Sequence, residues 1–275
     1  MAASSITSKP ERGGLALAAL MLLLAAPAAA DPAFSDGGAV AAARIVDDAT
    51  LALTDGRTLR LVDIDVPERG PLAAEAKSML AALTADRPLA LKFAGNPTDR
   101  QGRVLGELYA GDVWVQGELL RRGLARVAGT ADNRIGIPEM LVLERQARRY
   151  RRGLWRDRDM AILAAAEAGR AAGRFALVSG QVAGLVSNSE GVVLFFGADR
   201  HTGLVLTLAP DIVKLCRDAG LDPKALRGQT VLTRGYIDGT RRPTIAVTFP
   251  EQIEVLRQKK AAPKSLSGPP SMKER

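Results

Sequence analysis

The amino-acid sequence predicts a mainly β protein with helices, an α+β fold made of two small OB-type barrels in succession. Three observations carry this expectation. Short runs rich in apolar and β-branched residues recur at close intervals, each bounded by Gly, Asp or Pro. Helical periodicity is confined to a few segments between those runs. Five short strands with helices occupy the first half, and three strands, a helix and two strands follow in the second, groupings that suit OB-type barrels. A hydrophobic share of 47% beside 25% charged residues describes a globular chain, and 275 residues hold two modest domains.

Taken in order, residues 31–42 are small and Gly/Ala-rich and read as a linker. Strands are expected at 43–53 and 58–64, joined by the turn Thr54-Asp55-Gly56-Arg57. Residues 72–85 form an alanine-rich helix with Leu72, Ala76, Met79, Leu80 and Leu83 on one face. Strands 89–93 and 104–115 come next, the latter turning at Ala110-Gly111-Asp112. A short helix at 116–122 stops at Gly123. A longer one at 139–152 turns Met140, Leu143, Ala147, Tyr150 and Leu154 inward, with Trp155 beyond its end. Residues 158–174 read as an alanine-rich helical connector. Strands at 175–185, 191–197 and 203–208, a helix at 210–219 and strands at 230–237 and 244–249 complete the pattern. The chain thus divides into a first barrel domain at 43–157, an OB-like β-domain at 175–257 and a disordered basic tail at 258–275.

The first thirty residues carry a leader pattern: Lys9 and Arg12, an apolar stretch, then Pro27 and the small run Ala28-Ala29-Ala30 before Asp31. The expectation is export to the periplasm or beyond, with no stable membrane insertion after cleavage. A formal charge of +8 and a pI near 10.0 suit a polyanionic partner such as nucleic acid. Cys216 is the sole cysteine, so no intramolecular disulfide forms, and its apolar neighbours place it on the buried side of a helix. The single histidine, His201, has no nucleophile motif around it. Ser-His-Asp and Cys-His mechanisms and histidine-rich metal sites are therefore excluded by number. A hydrolase built on this sequence must work with carboxylates and arginines.

Those residue types converge in Arg60-Leu61-Val62-Asp63-Ile64-Asp65-Val66-Pro67-Glu68 and in the turn that closes at Arg103. A β-type run ending at Pro67 leaves Asp65 and Glu68 just past the strand. Carboxylates orient water or hold a hard cation, and planar guanidiniums grip phosphate oxygens as charge builds on them. In order, these pieces resemble the thermonuclease (staphylococcal-nuclease-like) family. The resemblance continues through Leu119 to Val127 and through Arg151 to Trp155, and so covers about residues 40–157. It implies a five-stranded barrel of the staphylococcal-nuclease type and a calcium ion (Ca2+) as cofactor. It further implies Asp65 as a metal ligand, Glu68 as the catalytic carboxylate, and Arg60 and Arg103 as phosphate contacts. The second unit is similar to small β-domains that follow thermonuclease-like domains in some exported bacterial proteins and take binding roles.

The sequence also departs from that family. Ala49 stands where the resemblance implies a metal-ligating Asp, and Gln101 replaces an aromatic residue. Gly129 and Ala131 occupy the stretch in which base-stacking tyrosines are expected. Strand alternation directs Asp48 to the opposite face, whereas Asp63, two residues before Asp65, is the substitute ligand that spacing allows. Arg145, Arg148, Arg149 and Arg152 give the last helix of the first domain a basic face that can meet phosphates. Three functions fit these observations. One is a metal-dependent nuclease acting on DNA or RNA. Another is a catalytically inactive relative that binds nucleic acid or a protein partner. The third is an adaptor that binds a protein partner through the C-terminal β-domain.

Overall fold

The computed structural model describes residues 34–156, 161–197 and 203–256. The expected leader at 1–30, the tail at 258–275 and His201 lie outside the described residues. Within the stretch read as a linker, β1 (Ser35–Val40) is instead a strand, paired antiparallel with β6 (Leu89–Phe93). Its small residues permit the pairing. A Cβ on Gly37 would lie 2.9 Å from the Leu91 carbonyl oxygen and 2.8 Å from the Phe93 ring. After Ala41 the same run continues as β2 (Ala42–Ile45), paired with β3 (Thr50–Leu53).

The first unit continues with β4 (Thr58–Leu61), β5 (Ile64–Asp65), α1 (Pro71–Thr84), β6 and β7 (Val104–Ala110). After these come β8 (Val113–Trp114), α2 (Val115–Arg122), β9 (Arg126–Val127) and α3 (Ile137–Arg149). Its main sheet runs β1-β6-β7-β4-β3-β2, with β4 and β7 parallel. Because β1 and β2 are halves of one run, this order returns on itself, the closure of an OB-type barrel. Leu51, Leu59, Leu61, Leu80, Leu91 and Leu108 fill its centre, each fully buried. α2 ends where Gly123 turns left-handed at φ 71°. Tyr150, expected inward, is 61% exposed. α3 stops at Arg149 and Arg151 takes φ 52°, so the helical phase that would have buried Tyr150 is broken.

The helical connector expected at 158–174 contains β10 (Leu163–Ala164) and a 3-10 segment (Ala165–Ala171). Alanine propensity favoured a helix, but Leu163 and Ala164 pair in parallel with Val178 and Ser179, and Ala168 and Ala171 are buried. Beyond them lie β11 (Phe175–Asn188), β12 (Gly191–Phe196), β13 (Val205–Leu208), α4 (Pro210–Asp218), β14 (Thr230–Tyr236), β15 (Thr244–Val247) and β16 (Ile253–Val255). This sheet runs β15-β13-β12-β11-β14-β16. Its first strand pairs with the second and fourth, its third pairs in parallel with the fifth, and a helix follows the third. The first barrel has the same pairings, but its fourth and fifth strands also pair with each other, whereas β14 pairs with β16. Cys216 is fully buried on α4, where burial and the Glu251 carboxylate push its thiol up to about 11.

A buried ion pair joins the two sheets. Arg234 of β14 and Glu144 of α3 are 1% and 0% exposed, with Nη1–Oε2 at 2.9 Å and Nη2–Oε1 at 3.0 Å. The Val127 amide donates to Glu144 Oε2 at 2.6 Å, and Arg234 donates to the Val127 carbonyl at 3.0 Å. Phe249 extends the joint by packing into the core of the first barrel. Among the described residues no helix is long and apolar enough to cross a membrane.

Candidate active site

Leu59 and Leu61 point into the core, so Arg60 between them emerges on the outer face of β4. It lies opposite Thr50 of β3 and Leu105 of β7. Its Nη1 donates to Thr50 Oγ1 at 3.4 Å and to Asp47 Oδ1 at 3.5 Å. Arg103 stands two residues before Leu105, the partner of Arg60, and its turn is held by Asp99. The amides of Gln101 and Arg103 both donate to Asp99 Oδ1 at 2.9 Å, and Arg103 Nε donates to Oδ2 at 2.6 Å. The fold thus sets Arg60 on β4 and Arg103 in the turn that leads into the neighbouring β7.

Residues 47–49 form a bend before β3, not part of a strand, so alternation does not apply to them. Ala49 is fully buried and its methyl belongs to the hydrophobic core. Asp48 is half-buried instead of facing away. Burial raises its carboxyl above the ordinary range, the nearby Asp47 and Glu68 carboxylates add to the rise, and the Arg60 guanidinium opposes it. Strand spacing concealed Asp48, and only the Asp47-Asp48 pair ahead of Thr50 signals a turn.

Asp63 does not join Asp65. It takes φ 61° between β4 and β5, which breaks the strand alternation on which the pairing depended. Its side chain is 5% exposed, Oδ1 accepts the Thr130 amide at 3.4 Å, and Oδ2 has no hydrogen-bond partner. Burial pushes its carboxyl up to about 7. Glu107, fully buried on β7, is raised well above its ordinary value, first by burial and then by Asp63. Asp65 faces Arg126, with Oδ2 2.6 Å from Nε. Glu68 is exposed and makes no hydrogen bond or ion pair among the described residues. It lines a cleft of about 650 Å3 with Asp65, Arg69, Arg126, Phe175 and Tyr236.

These residues do not fit a hard divalent cation. Such an ion takes six to eight oxygens, several of them from carboxylates converging on one point. Here Ala49 offers a buried methyl, Asp65 is held by Arg126, and Asp63 is turned inward. Among the described residues no three Asp, Glu, His or Cys side chains gather as a metal would require.

Of the expected basic face, Arg145, Arg149 and Arg152 are exposed, and the Arg149 and Arg152 guanidiniums lie 5.8 and 5.2 Å from the Tyr150 ring. Arg148 is not available to phosphate. It lies one turn after Glu144, facing the second sheet, where it pairs with Glu254 at 2.6 Å and keeps only 10% of its side chain exposed. Arg126 and the aromatic pair Phe175 and Tyr236 were not anticipated. Arg126 lies in a stretch matched by resemblance alone, and the aromatic pair belongs to a domain without a motif.

The family described as Staphylococcal nuclease homologue matches residues 58–157. An uncharacterized endonuclease of Escherichia coli is 33% identical over 121 residues, which is 42% of this chain and 76% of that protein. A micrococcal nuclease of Shigella flexneri is 33% identical over 156 residues, 51% of this chain and 83% of its own length. A probable staphylococcal-like nuclease of Oryza sativa subsp. japonica is 37% identical over 98 residues, and the chain spans only 28% of that relative.

Proposed function

Because this chain belongs to the staphylococcal nuclease homologue family, we propose that it hydrolyses phosphodiester bonds of nucleic acid at Arg60, Arg103 and Glu68. The observation that carries the reading is the pairing of β4 with β7, which sets Arg60 opposite Leu105, two residues from Arg103. Glu68, exposed beside the cleft, takes the proton of an attacking water as its oxygen bonds to phosphorus. Charge then collects on the non-bridging oxygens, where the guanidiniums of Arg60 and Arg103 stabilise it. The departing ester oxygen leaves with a proton from solvent. Calcium is the cofactor that the family suggests, but the donor set here does not fit it, and this chemistry rests on protein side chains alone. The leader pattern at 1–30 supports action outside the cytoplasm, in the periplasm or the medium.

The fully buried Ala49 favours a second reading, a relative that binds nucleic acid without cutting it. Hydrolysis of a fluorescent single-stranded DNA by the full chain, with calcium and with a chelator, separates the two. Glu68→Gln is expected to slow cleavage by roughly 10²- to 10⁴-fold, the usual contribution of a general base. An unchanged rate in that variant would remove Glu68 from the chemistry. Salt-sensitive binding with no cleavage in the parent would establish the binder.

A further inference from the structure

We propose that the second β-domain supplies the base-stacking surface of the cleft, with Tyr236 and Phe175 holding unpaired bases of a single strand beside Glu68. The inference rests on the proposed nuclease reading for its substrate class, but the surface is assigned from its own geometry. Phe175 and Tyr236 are directly opposed across β11 and β14, so their side chains share one face of the sheet. Both line the cleft that contains Glu68 and Asp65. Tyr236 is 65% exposed, and among the described residues only one other aromatic ring, Tyr150, is more than half exposed. In a chain with 4% aromatics, one of the two rings more than half exposed among the described residues lies at this cleft. The Tyr236 hydroxyl donates to the Gly173 carbonyl, which fixes the phenol before any ligand arrives.

Cations frame the pair. Arg126 lies 5.3 Å from the Phe175 ring centroid, donates to the Phe175 carbonyl at 3.2 Å and pairs with Asp65 at 2.6 Å. It therefore connects the nuclease loop to the aromatic face. Arg174 and Arg69 line the same cleft on exposed positions, and Arg69 makes no hydrogen bond or ion pair among the described residues. Aromatic rings interleaved with guanidiniums hold a single strand by stacking its bases and neutralising its phosphates.

The test measures binding by the full chain to a labelled oligothymidylate, to the same strand without bases and to a duplex, together with cleavage of the first. Tyr236→Ala is expected to weaken oligothymidylate binding roughly 5- to 100-fold while leaving the abasic strand unaffected, and Tyr236→Phe to restore binding. Tyr236 is largely exposed, so its replacement leaves the cores intact. Unchanged oligothymidylate binding in Tyr236→Ala, an equal loss on both strands, or a parent that prefers duplex would each overturn the proposal. Glu68→Gln, with its ring surface intact, is expected to keep the preference for the oligothymidylate over the abasic strand. If it also cleaves as the parent does, the nuclease assignment fails while the stacking result stands.

Discussion

Ala49 and Asp63 show how single positions set the character of this site. Ala49 packs in the core beside the bend that carries Asp47 and Asp48, so a carboxylate there has no water and no partner. Ala49→Asp is expected to lower stability by about 2–4 kcal/mol, as an unpaired buried charge does. If the position lies within reach of a cation, millimolar calcium raises the Tm of that variant and not of the parent. A Tm of the variant that ignores calcium would show that the position is not a donor position. Asp63 carries a raised carboxyl at about 7 beside the buried Glu107. The folded state therefore holds this proton more tightly than the unfolded chain does. Its contribution is fully present below about 4, declines as pH rises towards 7, and is absent above that. Asp63→Asn removes the titration, so its stability advantage over the parent should grow across that window to roughly 2–4 kcal/mol. Urea unfolding at pH 5 and pH 8 measures this, and an equal gap at both would show that the Asp63 carboxyl is not raised in the folded state.

At the scale of elements, α3 and β14 hold the molecule together through Glu144 and Arg234. Both groups are buried, and the Val127 backbone shares their hydrogen bonds. The Arg234 guanidinium and its hydrogen bonds hold the Glu144 carboxyl below the ordinary range against its burial. This stabilisation is present above the unfolded value and is lost as pH falls through the folded one. Arg234→Met is expected to cost about 3–5 kcal/mol in urea unfolding, because it leaves a carboxylate buried and alone. Glu144→Gln with Arg234→Met should recover part of that loss, and failure to recover would mean that the pair is not coupled. Helices and strands with strong periodicity were legible in the sequence, and Arg60, Glu68 and Arg103 were singled out there for the site proposed above. The strand β1 was not, because its Gly and Ala residues carry no apolar signal and gain meaning only against Leu91 and Phe93. Asp63 was misplaced because period-two reasoning assumes an unbroken strand, and a left-handed residue breaks it. Arg148 looked like a phosphate contact because periodicity reports a helix face but not what covers it.

For the whole molecule, the two sheets share most of their strand pairings, and charged side chains make much of the joint between them. The Arg134–Glu251 pair at 2.9 Å and the Arg148–Glu254 pair at 2.6 Å flank the central clasp, and Phe249 crosses into the neighbouring core. The fold class was readable because turns and strand runs are local. The joint depends on residues about a hundred positions apart, such as Glu144 and Arg234, whose sequence neighbourhoods give no hint of each other. The net charge of +8 adds a long-range attraction for polyanions to the specific contacts of the cleft. The crossing of Phe249 also bears on the matched stretch. The family match covers residues 58–157, yet the core around it includes a ring from far downstream. A change at Phe249 therefore reaches the same core in which Leu59 and Leu61, the neighbours of Arg60, are packed.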